Sequence, residues 1–435
     1  MKKTIKILAG IVIVILAFLG INQILQYILV DDGEDSIRDK MHDFYEQENI
    51  DTLFLGSSHI QFGYNEILLK ECIGENTYVM GSPVQRIDVS YHLLKDAIKK
   101  NDIKTVYLDM YYRQYRSVPS ERTDLQMDYV YCVSDYMPFS LNKVELLLEA
   151  SDSNRYIESF FPAARYGNYL FDYKRMERIV KSKRNDAYKN YEHTATIWVD
   201  GYEKEAGAPT MFDYVEEYSM SPIGDNIMSE YSLKLLDKTV KLCKDNDIEL
   251  VLVATPMTNF WLESMGDYDI YHDFLTNYAH ENNIEYYDFN YIKDDIFHQC
   301  DEYYIDDHHL SGSGATAFTE IFINMMTTMS DSQRNELFYS SIEEKLSDLE
   351  PQIFGIKMIP LTESEQTYNM CISSNYELDV EWRICRLDPD GNETELIQDW
   401  DTEAIYTNSF FDDQITKISA RDASTGEIVF EEIIN

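Results

Sequence analysis

Short apolar runs alternating with stretches of helical spacing constrain this chain more than any other feature. The runs are Asp51-Thr52-Leu53-Phe54-Leu55, Thr77-Tyr78-Val79-Met80, Lys104 to Asp109, Glu249 to Ala254 and Glu285 to Phe289. Each is too short for a stable helix and rich in residues that fit a pleated, buried strand. Between them, Ile60 to Cys72, Arg86 to Lys100, Ser229 to Asn246, Tyr271 to Glu281 and Gly312 to Met329 read as helices. In the second, Ile87, Tyr91, Leu94 and Ile98 recur on one face. Strands joined by helices form a parallel sheet covered on both sides, which is a three-layer α/β/α domain. Sites in such sheets lie at the carboxyl ends of the strands.

Two departures divide the chain. From about 113 to 228 the alternation stops and aromatics, Arg and Lys dominate, which predicts a cap insertion. It carries a basic island, Lys174, Arg175, Arg178, Lys181, Lys183, Arg184 and Lys189. These cations either hold a phosphate or acidic sugar near the site or form a solvated helix face. Arg155, Arg165 and Tyr166, near Phe161-Pro162, are expected at the border of the cleft. Ser330 to Gln352 reads as a polar connector, and beyond Ile353 the pattern alternates, as in Leu378-Asp379-Val380-Glu381-Trp382-Arg383-Ile384. Turn signals at Asp388-Pro389-Asp390-Gly391-Asn392 and Ser424-Thr425-Gly426 predict a small immunoglobulin-like β-sandwich. The expected organisation is therefore an anchor over 1–35, an α/β domain over 36–330 and a sandwich over 331–435.

The anchor rests on charge. Lys2, Lys3 and Lys6 precede an uncharged run from Ile7 to Val30, and Asp31, Asp32, Glu34 and Asp35 follow it. The run is long enough to cross a bilayer, and the flanking charges predict a single span with the body outside the cell. A cleaved signal peptide is the alternative, although no small-x-small cleavage site closes the run. Ser36 to Gln47 reads as a short amphipathic stalk helix. The net charge of −41 excludes nucleic acid as a partner, because phosphates would be repelled. Six cysteines show neither CxxC nor zinc spacing; Cys371 and Cys385 are candidates for a bridge in the sandwich.

The chemistry centres on Leu55-Gly56-Ser57-Ser58-His59 after the first strand and Asp306-Asp307-His308-His309-Leu310-Ser311-Gly312-Ser313-Gly314 near the last helix. A serine hydroxyl needs a base within hydrogen-bond reach and a carboxylate to orient that base. Serine on an early strand-to-helix turn, with Asp-x-x-His late in the domain, resembles the SGNH (GDSL-like) hydrolase superfamily. The resemblance selects Ser58 as nucleophile, His309 as base and Asp306 as its orienting partner. Leu310, Ser311 and Gly314 match the usual Leu-Ser-x-x-Gly continuation. It also implies oxyanion donors at the Ser58 and Gly81 N–H groups. The usual asparagine donor has no counterpart in Asp109-Met110-Tyr111-Tyr112, and Gln85 or Asn259 is the available substitute.

Gly-Ser-Ser in place of Gly-Asp-Ser is similar to the branch containing teichoic-acid D-alanyl transfer proteins and alginate O-acetylation proteins. His59 stands where the former usually have Glu. That resemblance implies acyl-ester chemistry on a cell-surface glycopolymer, beside a membrane-bound O-acyltransferase and without a cofactor. Two other classes are kept open. One is a non-catalytic glycopolymer-binding or assembly protein on a degenerate fold. The other is a metal-dependent hydrolase using His298, Glu302, Asp306, Asp307, His308 and His309.

Overall fold

The computed structural model describes residues 2–31, 36–184, 214–217, 223–224, 227–361, 367–407 and 415–434. Lys189 and much of the later insertion lie outside them. Strands β1 (Thr52–Gly56), β2 (Thr77–Gly81), β3 (Thr105–Asp109), β4 (Tyr214–Glu217), β5 (Glu249–Ala254) and β6 (Glu285–Asp288) follow in chain order. All but β4 form one parallel sheet in the order β2-β1-β3-β5-β6. Chain direction across the sheet reverses between β1 and β3, which opens a crevice at their carboxyl ends.

Helices α1 (Lys2–Leu29), α2 (Ser36–Glu46), α3 (Ser58–Gly63), α4 (Glu66–Cys72) and α5 (Ile87–Lys100) precede the insertion. The insertion supplies α6 (Asp124–Ser134), α7 (Leu141–Ala150), α8 (Tyr156–Phe160) and α9 (Tyr173–Arg184). The domain continues with α10 (Glu230–Asp245), α11 (Asn259–Met265), α12 (Tyr268–Asn282) and α13 (Gly312–Thr328). Successive strand side chains point to opposite faces. Leu53, Leu55, Val106, Leu108 and Leu252 meet Met41, Leu93, Leu236 and Leu275 of one helical layer. Phe54, Tyr107, Val251 and Val253 meet Ile60, Leu69, Phe318 and Phe322 of the other. Burial on both faces accounts for strands that are apolar at nearly every position.

Several expectations need correction. The helix expected over Ile60 to Cys72 breaks because Tyr64 is extended and Asn65 caps a new helix, accepting from the N–H groups of Ile67 and Leu68. The Asn65 N–H is itself held by Thr319 Oγ1 at 2.8 Å. The stalk helix is no free stalk: Ile37, Met41 and Phe44 of α2 are buried in the main core. The connector also packs, through two short helices (Asp331–Asn335 and Ile342–Asp348). Buried Lys345 in the second donates to the Asn290 carbonyl at 2.8 Å.

The C-terminal region contains β7 (Ile353–Pro360), β8 (Thr367–Ser374), β9 (Val380–Leu387), β10 (Glu393–Asp401), β11 (Ile405–Thr407), β12 (Thr416–Asp422) and β13 (Ile428–Ile434). They build two four-stranded sheets, β10-β9-β12-β13 and β11-β8-β7-β4. Ile356, Met358 and Met370 of one sheet share a core with Trp382, Ile384, Ile418 and Phe430 of the other. The edge strand β4 comes from the insertion and pairs parallel to β7, so the module is not closed over 331–435 alone. Cys371 and Cys385 are free, each on a strand of a different sheet.

The described part of the insertion is fastened to the α/β body. Arg122 pairs with Asp88 of α5 at 2.6 Å, both fully buried, and donates to the Ala150 carbonyl at 2.9 Å. His92 of α5 meets Asn142 Oδ1 of α7 at 2.7 Å.

Candidate active site

Ser58 opens α3 at the carboxyl end of β1, where the first-turn N–H groups have no intrahelical acceptors. Ser57 caps the helix and accepts from the His59 N–H at 3.2 Å. Glycine is required on both strand ends beneath it. A Cβ on Gly56 would lie 2.1 Å from Asp109 Cβ, and one on Gly81 would lie 2.5 Å from the Gln61 nitrogen.

Asp109 holds this turn from below. Its Oδ2 accepts from the Ser57 N–H at 3.0 Å and the Ser57 hydroxyl at 2.5 Å, while Oδ1 accepts from the Tyr111 N–H at 3.0 Å. Burial pushes the Asp109 carboxyl up to about 6, against the pull of those hydrogen bonds.

The late loop reaches the same crevice. Ser58 Oγ lies 2.7 Å from His309 Nε2, and His309 Nδ1 lies 2.6 Å from Asp306 Oδ2. Asp306 Oδ1 also accepts from the His308 and His309 N–H groups at 3.0 and 2.7 Å, which fixes the carboxylate beside the ring. Burial favours the neutral Asp306 carboxyl. The hydrogen bond from His309 and the nearby imidazoles outweigh it and bring the group to about 2. His309 is shifted below its ordinary value by burial and by His308, with Asp306 opposing. A neutral imidazole with its Nδ1 proton on a carboxylate leaves Nε2 free to accept the serine proton.

The loop is locked behind the histidine. Ser311 caps α13 by accepting from the Gly314 N–H at 3.1 Å, and the Ser311 N–H donates to the Tyr303 carbonyl at 2.9 Å. A Cβ at Gly314 would stand 2.1 Å from that carbonyl oxygen, so only glycine fits there.

Gly81 ends β2 opposite Gly56, and its carbonyl accepts from buried Lys40 Nζ at 3.2 Å. Gln85 supports its own loop: Nε2 donates to Ser90 Oγ at 2.9 Å, and Oε1 accepts from the Ser82 hydroxyl at 2.8 Å. Those bonds brace Val84, which sits at φ +51°, an unfavourable conformation for a β-branched residue. Asn259 is buried, and its Oδ1 has no partner among the described residues. Arg155 pairs with Asp124, Arg165 pairs with Asp135 and covers the Tyr131 ring, and Tyr166 lies under Arg175. These contacts tie all three into the insertion.

Sequence reasoning missed Asp109 and an aromatic wall. His59 stacks on Tyr111 with centroids 3.9 Å apart, and His308 stacks on Trp261 at 4.5 Å. His308 Nδ1 meets Asp307 Oδ1 at 2.5 Å, repeating the Asp–His pairing one residue earlier. The useful signal was position: Asp109 ends β3 and Tyr111 lies just beyond it, next to β1 across the crevice.

For a metal, close ligand atoms come from His59, His308 and His309, or from Asp306, Asp307 and His308. His298 instead points into solvent and pairs with Asp294. Both ring nitrogens of His309 are already engaged, so a metal there would have to displace Ser58 or Asp306.

No family model and no curated protein matches the chain. Among solved structures it is similar to a protein of Bacteroides fragilis described as a candidate acylhydrolase. The identity is 11% and the TM-score 0.29, over 66% of this chain and 94% of that one.

Proposed function

We propose that this protein is a serine acyl esterase or O-acyltransferase of the SGNH type, held in the membrane by α1 with its body outside the cell. It acts on acyl esters of a cell-surface polysaccharide or teichoic acid. The observation that carries this reading is the continuous relay from Ser58 Oγ through His309 to Asp306, at 2.7 and 2.6 Å. All three side chains keep partial solvent exposure, as an external substrate requires.

In the first half-reaction His309 Nε2 takes the Ser58 proton as Oγ attacks the ester carbonyl. The resulting oxyanion is held by the Ser58 and Gly81 N–H groups. Collapse expels the alcohol, which receives the proton from His309, and leaves acyl-Ser58. In the second half-reaction His309 deprotonates water or a sugar hydroxyl, which takes the acyl group and frees Ser58. Transfer would pair the protein with a membrane-bound O-acyltransferase.

The span reading is supported by Ile5–Leu29, whose most apolar window has a mean hydropathy of 2.5. The occupied Gln85 amide, which removes one of the two candidate side-chain donors to the oxyanion, favours a second reading, a glycopolymer-binding protein without turnover. A fluorophosphonate distinguishes the two. Labelling at Ser58 that disappears in His309→Ala supports the enzyme, whereas glycan binding with unmodified Ser58 supports the binder.

A further inference from the structure

The insertion packs beside α1 far below the point where α1 ends. Phe161 meets Phe18 with ring centroids 4.9 Å apart. Phe18 precedes Leu29 by about 16 Å of helix, at 1.5 Å per residue. A hydrocarbon core of about 30 Å takes roughly twenty helical residues. If it begins at Ile5, Phe18 still lies about 9 Å inside its outer edge. Residues around Phe161 therefore sit at the depth of lipid, not above it.

Three further observations agree. First, the outer half of α1 is not uniformly apolar: Asn22, Gln23 and Gln26 line a cavity of about 580 Å³ together with Asp135, Ser159 and Lys183 of the insertion. Polar groups at that depth are costly against acyl chains, and the insertion shields them. Second, the segments around α1 expose large apolar side chains: Phe139 is 87% exposed and Leu141 82%, with Ile157, Leu170, Phe171 and Tyr173 also open. Large apolar side chains left open beside a membrane span are suited to lipid contact. Third, α9 has six cations and one acid in its twelve residues, within a chain of net charge −41. Its Arg175 donates to the Leu29 carbonyl at 2.6 Å, and Arg178 pairs with Asp31 at 2.7 Å, so these charges stand where α1 leaves the membrane.

We propose that the insertion is a second, monotopic membrane contact. Its exposed apolar residues enter the outer leaflet beside α1, and the exposed α9 cations Lys174, Arg178, Lys181 and Arg184 rest on anionic lipid headgroups. The inference rests on α1 as the membrane span. It would hold the body at a fixed height and orientation on the bilayer.

The test is photolabelling of the full-length protein in phosphatidylcholine vesicles, with or without phosphatidylglycerol, using a phosphatidylcholine that carries a diazirine in its acyl chain. Labelled peptides are then mapped by mass spectrometry. The expected result is label on α1 and on peptides covering 139–173, with the latter rising roughly fivefold or more in anionic vesicles. Label confined to α1 overturns the inference and leaves the span intact. Label on neither removes the span reading and this inference with it. In Phe139→Ser/Leu141→Ser/Phe171→Ser the insertion signal should fall several-fold while α1 labelling is unchanged. An unchanged insertion signal in that variant also overturns the proposal.

Discussion

Asp306→Asn separates a catalytic carboxylate from a structural one. The amide oxygen can still accept from the His308 and His309 N–H groups, so the loop keeps its hydrogen bonds. What disappears is the negative charge beside His309 Nδ1, 2.6 Å away in the native protein. That charge matters most once the Ser58 proton has moved and the ring is an imidazolium. A unit pair at about 4 Å in a partly solvated site is worth about 4 kcal/mol. At about 1.4 kcal/mol per decade, this predicts a loss of about a thousandfold in acylation rate. Loss of the tautomer preference can add up to about another decade. The assay is the second-order rate of fluorophosphonate adduct formation on Ser58, followed by intact-protein mass, with a melting curve as the folding control. Removing the carboxylate also lowers the His309 pKa further, so the acidic limb of the profile should move to lower pH. A folded Asp306→Asn protein that labels within tenfold of wild type would refute the reasoning.

Other outcomes follow from the same geometry. Asp109→Ala leaves the Ser57 N–H, the Ser57 hydroxyl and the Tyr111 N–H without their carboxylate; chemical denaturation should show a loss of roughly 3–5 kcal/mol. Because burial raises the folded Asp109 pKa above its unfolded value, its ionisation costs stability progressively from about pH 4 to about 6. Relative to wild type, Asp109→Asn should therefore gain stability across that window in urea titrations at stepped pH. Gly314→Ala brings a Cβ 2.1 Å from the Tyr303 carbonyl oxygen and forces the loop to shift by about 1 Å, which predicts roughly a hundredfold slower labelling of Ser58 in protein that remains folded. His309 must be neutral to accept a proton and burial depresses its pKa, so labelling should rise with pH through a midpoint below that of an ordinary imidazole and then level off.

The five strands of the parallel sheet and the two loops that meet at its carboxyl end were readable because each depends on local chemistry. Apolar runs bounded by turns mark strands, and Gly-Ser-Ser and Asp-x-x-His occupy βα junctions that a parallel sheet gathers at one end. What lay beyond reach depends on which surfaces meet in three dimensions. Nothing around Asp109 announces that its carboxylate will clamp the Ser57 turn, because the partners are 52 residues apart. The His59–Tyr111 and His308–Trp261 stacks join four separate segments. β4 lies in a stretch without alternation and becomes a strand by pairing with β7. The amphipathic pattern of α2 was visible, but not that its apolar face would be absorbed by the main core.

Trapping the acyl intermediate tests the central idea most directly. Full-length protein mixed with p-nitrophenyl acetate, quenched in acid and digested should yield an acetylated peptide with the modification on Ser58, and none in His309→Ala. Wild-type protein that hydrolyses the ester without acetylating Ser58, or acetylates it equally without His309, would contradict the account.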